Sequence, residues 1–135
     1  MKNSIWIIFP LFLALSPSSQ AKPALGVQFL EPKQGAIVPK TFKVKMAVHG
    51  MDVEPAGEVH PKKGHHHLLI DMGAMKKGLV IPSDQKHYHF GKGQTETELT
   101  LAPGKHRLTL QFADGKHESY GPAWSKTIQV TVKDQ

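Results

Sequence analysis

The chain has 135 residues, with 17 lysines and arginines against 11 aspartates and glutamates, a formal net charge of +6, and no cysteine. The missing thiol excludes disulfides, thiolate metal sites, an acylated lipobox and a cysteine nucleophile. Basic residues are scattered and lack interleaved aromatics for stacking on bases, so no nucleic-acid partner is expected, only a mild attraction to anionic envelope surfaces.

The chain opens on "MKNSIWIIFPLFLALSPSSQA", with Lys2 in a short basic head, an apolar run over residues 5–15, and Ser19 and Ala21 at a small-x-small cleavage site. This is the pattern of a secretory signal peptide. The apolar run falls short of the roughly 20 residues that span a bilayer, so no stable membrane insertion is expected once the leader is cut. Residues 1–21 are therefore expected to be a cleaved leader, and the mature chain periplasmic or secreted in a bacterial envelope. Losing Lys2 leaves 16 basic and 11 acidic residues, a net +5. Residues 22–135 suit a single domain with its own core.

The first regular element is "FKVKMAVHG", where Phe42, Val44, Met46 and Val48 alternate with Lys43 and Lys45 as in a half-buried strand. Residues 50–93 follow, rich in histidine, glycine and lysine and poor in alternation, and function is expected there. Beyond them come "TETELTL", with Thr97, Leu99 and Leu101 inward, and "HRLTLQF", with Leu108, Leu110 and Phe112 opposing Arg107, Thr109 and Gln111. "TIQVTV" ends the series with Ile128, Val130 and Val132 inward. The turn sequences "EPKQGAIVPK", "APGK", "ADGK" and "YGPAW" separate these runs. No stretch carries a convincing helical period. The pattern predicts an all-β fold, an immunoglobulin-like antiparallel β-sandwich, with His106 in "LAPGKHRLTL" as a structural group at the corner before a late strand.

Within residues 50–93, "GHHHLLID" places His65, His67 and Leu69 on one face of a strand and His66, Leu68 and Ile70 on the other. "KHYHFG" repeats the geometry, with His87 and His89 on one face and Tyr88 and Phe90 opposite. Two His-x-His pairs could bring four neutral imidazoles around one ion, and imidazole suits copper, zinc and nickel. The expected ligands are His65, His67, His87 and His89, with His66 either a fifth ligand or an inward anchor. His117, Glu96, Glu58 and His60 are second-tier ligands or orienting groups. Met72 and Met75 offer thioethers to Cu(I), although methionine more commonly fills gaps in a core. Because ligation needs neutral imidazole, affinity is expected to fall below about pH 6.5.

Enzyme signatures are thin. "GKGQTE" lacks phosphate-loop spacing, and G-x-S-x-G does not occur. The expectation is a non-enzymatic protein that binds copper in preference to zinc, as a chaperone, store or delivery protein, with a further envelope protein as a second partner. The alternative is an immunoglobulin-like interaction module that uses the same histidines as hydrogen-bonding groups toward an envelope protein or glycan.

"GHHHLLID" followed by "KHYHFGKGQTETELTLAPGKHRLTL" resembles a bacterial envelope family, the domain of unknown function numbered 4399 in the DUF series, over residues 27–133. The resemblance implies an exported small β domain whose histidine motifs match His65, His66, His67, His87 and His89, and it implies no activity. Separately, "HYHFGKG" resembles the H-x-H-x-F-G strand of copper/zinc superoxide dismutases. The chain lacks their cysteine pair and zinc loop, which leaves copper-dependent dismutation as a minor alternative.

Overall fold

The computed structural model describes residues 16–134. The apolar run of the expected leader lies outside them. Among the described residues, no helix is long and apolar enough to cross a membrane.

Among the described residues, nine strands form two sheets. One contains β1 (Gly26–Glu31), β3 (Thr41–His49) and β7 (Glu96–Thr100) in the order β1-β3-β7. The other runs from β2 (Ala36–Val38) through β9 (Ser125–Val132), β8 (Gly104–Ala113) and β5 (Lys63–Ile70) to β4 (Asp52–Val53), and β6 (His87–His89) also pairs with β5. The sheets face each other as a sandwich of the immunoglobulin-like kind. Most pairings are antiparallel, but the short β2–β9 and β4–β5 pairings are parallel.

Alternation sorts side chains between the sheets as the sequence predicts. Phe42, Val44 and Met46 from β3, Leu99 from β7, Leu108, Leu110 and Phe112 from β8, and Ile128, Val130 and Val132 from β9 share one core with Leu68, Ile70 and Phe90. Burial of such side chains supplies about 1.5–3 kcal/mol each, which makes this core the main stabilising term. His106 holds a corner, with Nε2 donating to the Ala102 carbonyl oxygen at 2.7 Å and Nδ1 lying 3.1 Å from Asp71 Oδ2.

The other face of β8 departs from expectation, since Thr109, Gln111 and Ala113 are fully buried as well. Residues 71–83 and 114–124 lie across that outer face, tied to it by polar side chains of β8. Thr109 Oγ1 donates to the Met72 carbonyl oxygen at 2.6 Å, the Met75 amide donates to Gln111 Oε1 at 2.9 Å, and Gln111 Nε2 donates to the Gly121 carbonyl oxygen at 3.0 Å. The two coverings pair with each other through Ser119 to Leu79 at 2.9 Å and Ile81 to His117 at 2.9 Å. Beneath them Leu69, Ile81 and Ala113 form a second small core, against which Met72 and Met75 pack. Those hydroxyl and amide side chains give the covering backbone its hydrogen-bond partners, which an apolar outer face would have left unsatisfied.

Candidate metal centre

β5 is the central element of the site, buried along its length from Gly64 to Ile70. His65 and His67 point to the covered outer face and His66 to the sandwich core, where its ring meets Phe112 edge to face at 5.1 Å. In the β5–β6 register His67 stands beside His89, and Leu69 stands beside His87. The fourth imidazole arrives from the turn after β8. Asp114 Oδ1 accepts the amides of Lys116 at 2.8 Å and Glu118 at 3.0 Å, while the backbone of His117 between them is left-handed, with φ of 68°. A left-handed non-glycine residue costs on the order of 1 kcal/mol. The turn brings the His117 ring to 5.1 Å from that of His65 and 5.8 Å from that of His67.

His65, His67, His89 and His117 each bring one ring nitrogen to within 4.8 Å of the others. His89 Nε2 lies 3.1 Å from His65 Nε2 and 2.9 Å from His117 Nε2. Nitrogens bound to one ion at 2.0–2.1 Å would stand about 2.9 Å apart at adjacent tetragonal positions and about 3.3 Å apart in a tetrahedron, so these separations are close to those of a ligand set. An imidazole nitrogen carries either a proton or a lone pair, so His89 Nε2 cannot donate to one neighbour while accepting from the other. A shared cation would satisfy all three nitrogens at once.

Burial adds to this. His65, His66 and His67 are almost fully inaccessible, and His65 Nδ1 and both ring nitrogens of His66 and His67 have no hydrogen-bond partner. Burial, reinforced by His89 and His117, lowers the pKa of His65 to about 4. Burial and then His65 lower that of His66 to about 4. Burial, with His65, His89 and His117 adding to it, takes His67 to about 2. His89 is lowered too, by burial and then by His117. These four rings are therefore held neutral, the form that ligates.

His87 does not join the cluster. It sits one pleat further along the strand, where Nδ1 lies 2.7 Å from Asp84 Oδ1. His66 lies on the opposite face of the sheet, which removes it as a fifth ligand and leaves the anchoring role. Glu96 belongs to β7 in the other sheet, opposite Lys45. His60 Nδ1 lies 3.1 Å from both carboxylate oxygens of Glu54, and Glu58 is exposed with Oε2 at 3.8 Å from His60 Nε2. Met72 and Met75 fill the second small core.

Glu54 carried no signal in the sequence. The parallel β4–β5 register sets Val53 beside Gly64, and the Glu54 amide donates to the Gly64 carbonyl oxygen at 2.7 Å, which places Glu54 beside His65. Its carboxylate and that of Asp114 act on His65 against the larger effect of burial. Two glycines keep the site open. At Gly91 a Cβ would run into the His89 ring, and at Gly115 it would meet the Glu58 carbonyl, so residues 57–58 dock tightly on the turn that carries His117.

The X-ray structure of the endo-beta-1,4-mannanase from Thermotoga petrophila is similar to this chain with a TM-score of 0.50 and 13% sequence identity, over 87% of this chain and 22% of that one. This chain therefore spans under a quarter of the mannanase, and the likeness concerns the fold alone. The fibronectin(III)-like modules of CbhA from Clostridium thermocellum align with a TM-score of 0.44 and 17% identity, over 79% of this chain and 95% of that one. No curated protein matches. The match to a family is of another order, extending over residues 44–133 and so across the whole histidine constellation: the chain belongs to the family of domains of unknown function DUF4399.

Proposed function

We propose that this domain binds a transition-metal ion, copper in preference to zinc, in the bacterial envelope, and serves as a non-catalytic chaperone, store or delivery protein. One observation carries the reading. Four imidazoles each bring one nitrogen to within 4.8 Å of the others, and the nitrogen that buried His67 offers to this cluster has no protein partner. Such groups are costly to bury unless something binds them. The donor set contains nitrogen only, which suits copper and zinc over hard cations, and divalent copper stands above zinc in intrinsic affinity. His65, His67, His89 and His117 are the proposed ligands.

The test is calorimetry on untagged apo protein with Cu(II), Cu(I) and Zn(II), together with elemental analysis of protein purified from periplasm. One tightly bound copper per chain is expected, lost when His65 and His67 are both replaced by alanine. Affinity no tighter than micromolar for all three ions would overturn the reading. Leu79 and Val80, 51% and 60% exposed on the covering segment, favour a second reading as an interaction module for an envelope protein. Full partner binding by metal-free protein would support it. Superoxide dismutation by copper-loaded protein would move the domain from carrier to enzyme.

A further inference from the structure

Three of the four imidazoles do more than face each other. His67, His89 and His117 also form one wall of a cavity of about 220 Å³, closed on its other side by Ile81, Pro82 and Ser83. A water molecule claims about 30 Å³ in the liquid, so several non-hydrogen atoms fit. The lining holds two apolar side chains, one hydroxyl and no carboxylate. Its access is asymmetric: His67 is buried, whereas His89 is exposed and His117 half-buried.

Resting on the metal reading above, we infer that this cavity is the binding site for a small monoanion that takes an open coordination position on bound Cu(II). The donor set fixes the sign of the ligand. Four neutral imidazoles leave the full divalent charge on the ion. Glu54 and Asp114 act on His65 and offset part of that charge from the far side of the ligand set, but neither carboxylate lines the cavity. An anion entering from the His89 and His117 side would meet the cation with no carboxylate in its path, and with the Ser83 hydroxyl as a donor. The metal then matters, because Cu(II) favours tetragonal surroundings that leave room for a further ligand, whereas Zn(II) in four protein ligands is a closed tetrahedral site. The cavity accordingly gives the domain a second binding capacity that depends on copper and on its oxidation state.

The probe is azide, added to full-length mature protein loaded with one Cu(II) per chain. Azide should produce a new charge-transfer absorption and a changed electron paramagnetic resonance spectrum, saturating at one azide per copper. Ser83→Trp fills the cavity from an exposed position. It should keep its copper and lose azide affinity at least tenfold, while Ser83→Ala should lose only a few-fold. Copper retained with a spectrum unmoved by azide would overturn this inference and leave the metal reading standing. Equal azide binding by wild type and Ser83→Trp would overturn it as well. Failure to take up copper at all would remove both.

Discussion

An imidazole that loses water at both ring nitrogens must recover those hydrogen bonds elsewhere, and His67 recovers neither. Its position beside His89 makes the arrangement intelligible as a ligand set. His117→Ala should therefore weaken copper binding by more than the roughly 10- to 100-fold expected for losing an orienting group, whereas His87→Ala, removed to the Asp84 pair, should bind within about threefold of wild type. Calorimetry on the two single variants decides between the observed cluster and the two His-x-His pairs. Glu54→Gln keeps the shape and removes the charge beside His65, and a loss of about 10-fold or more in affinity is expected. Unchanged affinity would reduce Glu54 to a partner of His60. His65, His67 and His89 were legible in the sequence because strand period puts them on one face. Period does not say which pleat faces which, and cross-strand register joins His89 to His67 while giving His87 only Leu69. His117 follows "ADGK" in a turn whose left-handed backbone leaves no periodic trace.

Segments 71–83 and 114–124 show why the strands were legible and their surroundings were not. Alternation in β3, β7, β8 and β9 reflects a two-sheet core and can be read residue by residue. The outer face of β8 reads as solvated, because threonine and glutamine are also what an exposed strand carries. Here those groups hold backbone, and nothing in "DMGAMKKGLVIPS" announces a covering segment. The docking of residues 57–58 on the turn after β8 is testable through Gly115→Ala, whose Cβ would meet the Glu58 carbonyl. Overpacking of this kind costs about 1–3 kcal/mol. Urea unfolding should show that loss, and copper affinity should fall too because the same turn carries His117. A variant destabilised but normal in copper binding would separate the docking from the site.

For the whole molecule, the neutral buried histidines couple folding to pH. Unfolded, each would titrate near 6.5. In the folded chain His65 and His66 titrate near 4 and His67 near 2. Between about pH 6.5 and pH 4 the unfolded chain thus binds protons that the folded chain does not, so stability is greatest above 6.5 and falls as pH falls through that window. The slope is up to about 1.4 kcal/mol per pH unit for each histidine. Three of them suffice to remove most of the stability of an ordinary domain, about 5–15 kcal/mol, and the apo protein is expected to unfold on the acid side of pH 5. Urea midpoints unchanged between pH 7.5 and 5 would contradict this. The same shifts reverse what unperturbed histidine would do to metal binding. His65 and His67 have no proton to displace above about pH 4, so their contribution to copper affinity should stay level from pH 7.5 down to the onset of unfolding instead of declining below 6.5. Bound copper, which stabilises the folded state by about 2.7 kcal/mol at 100 times its dissociation constant, should move that onset to lower pH. Acid release of the metal would then track loss of the fold, measurable as one coincident transition in copper absorption and circular dichroism, and copper leaving a still-folded protein near pH 6 would show that the ligands titrate as exposed histidines do.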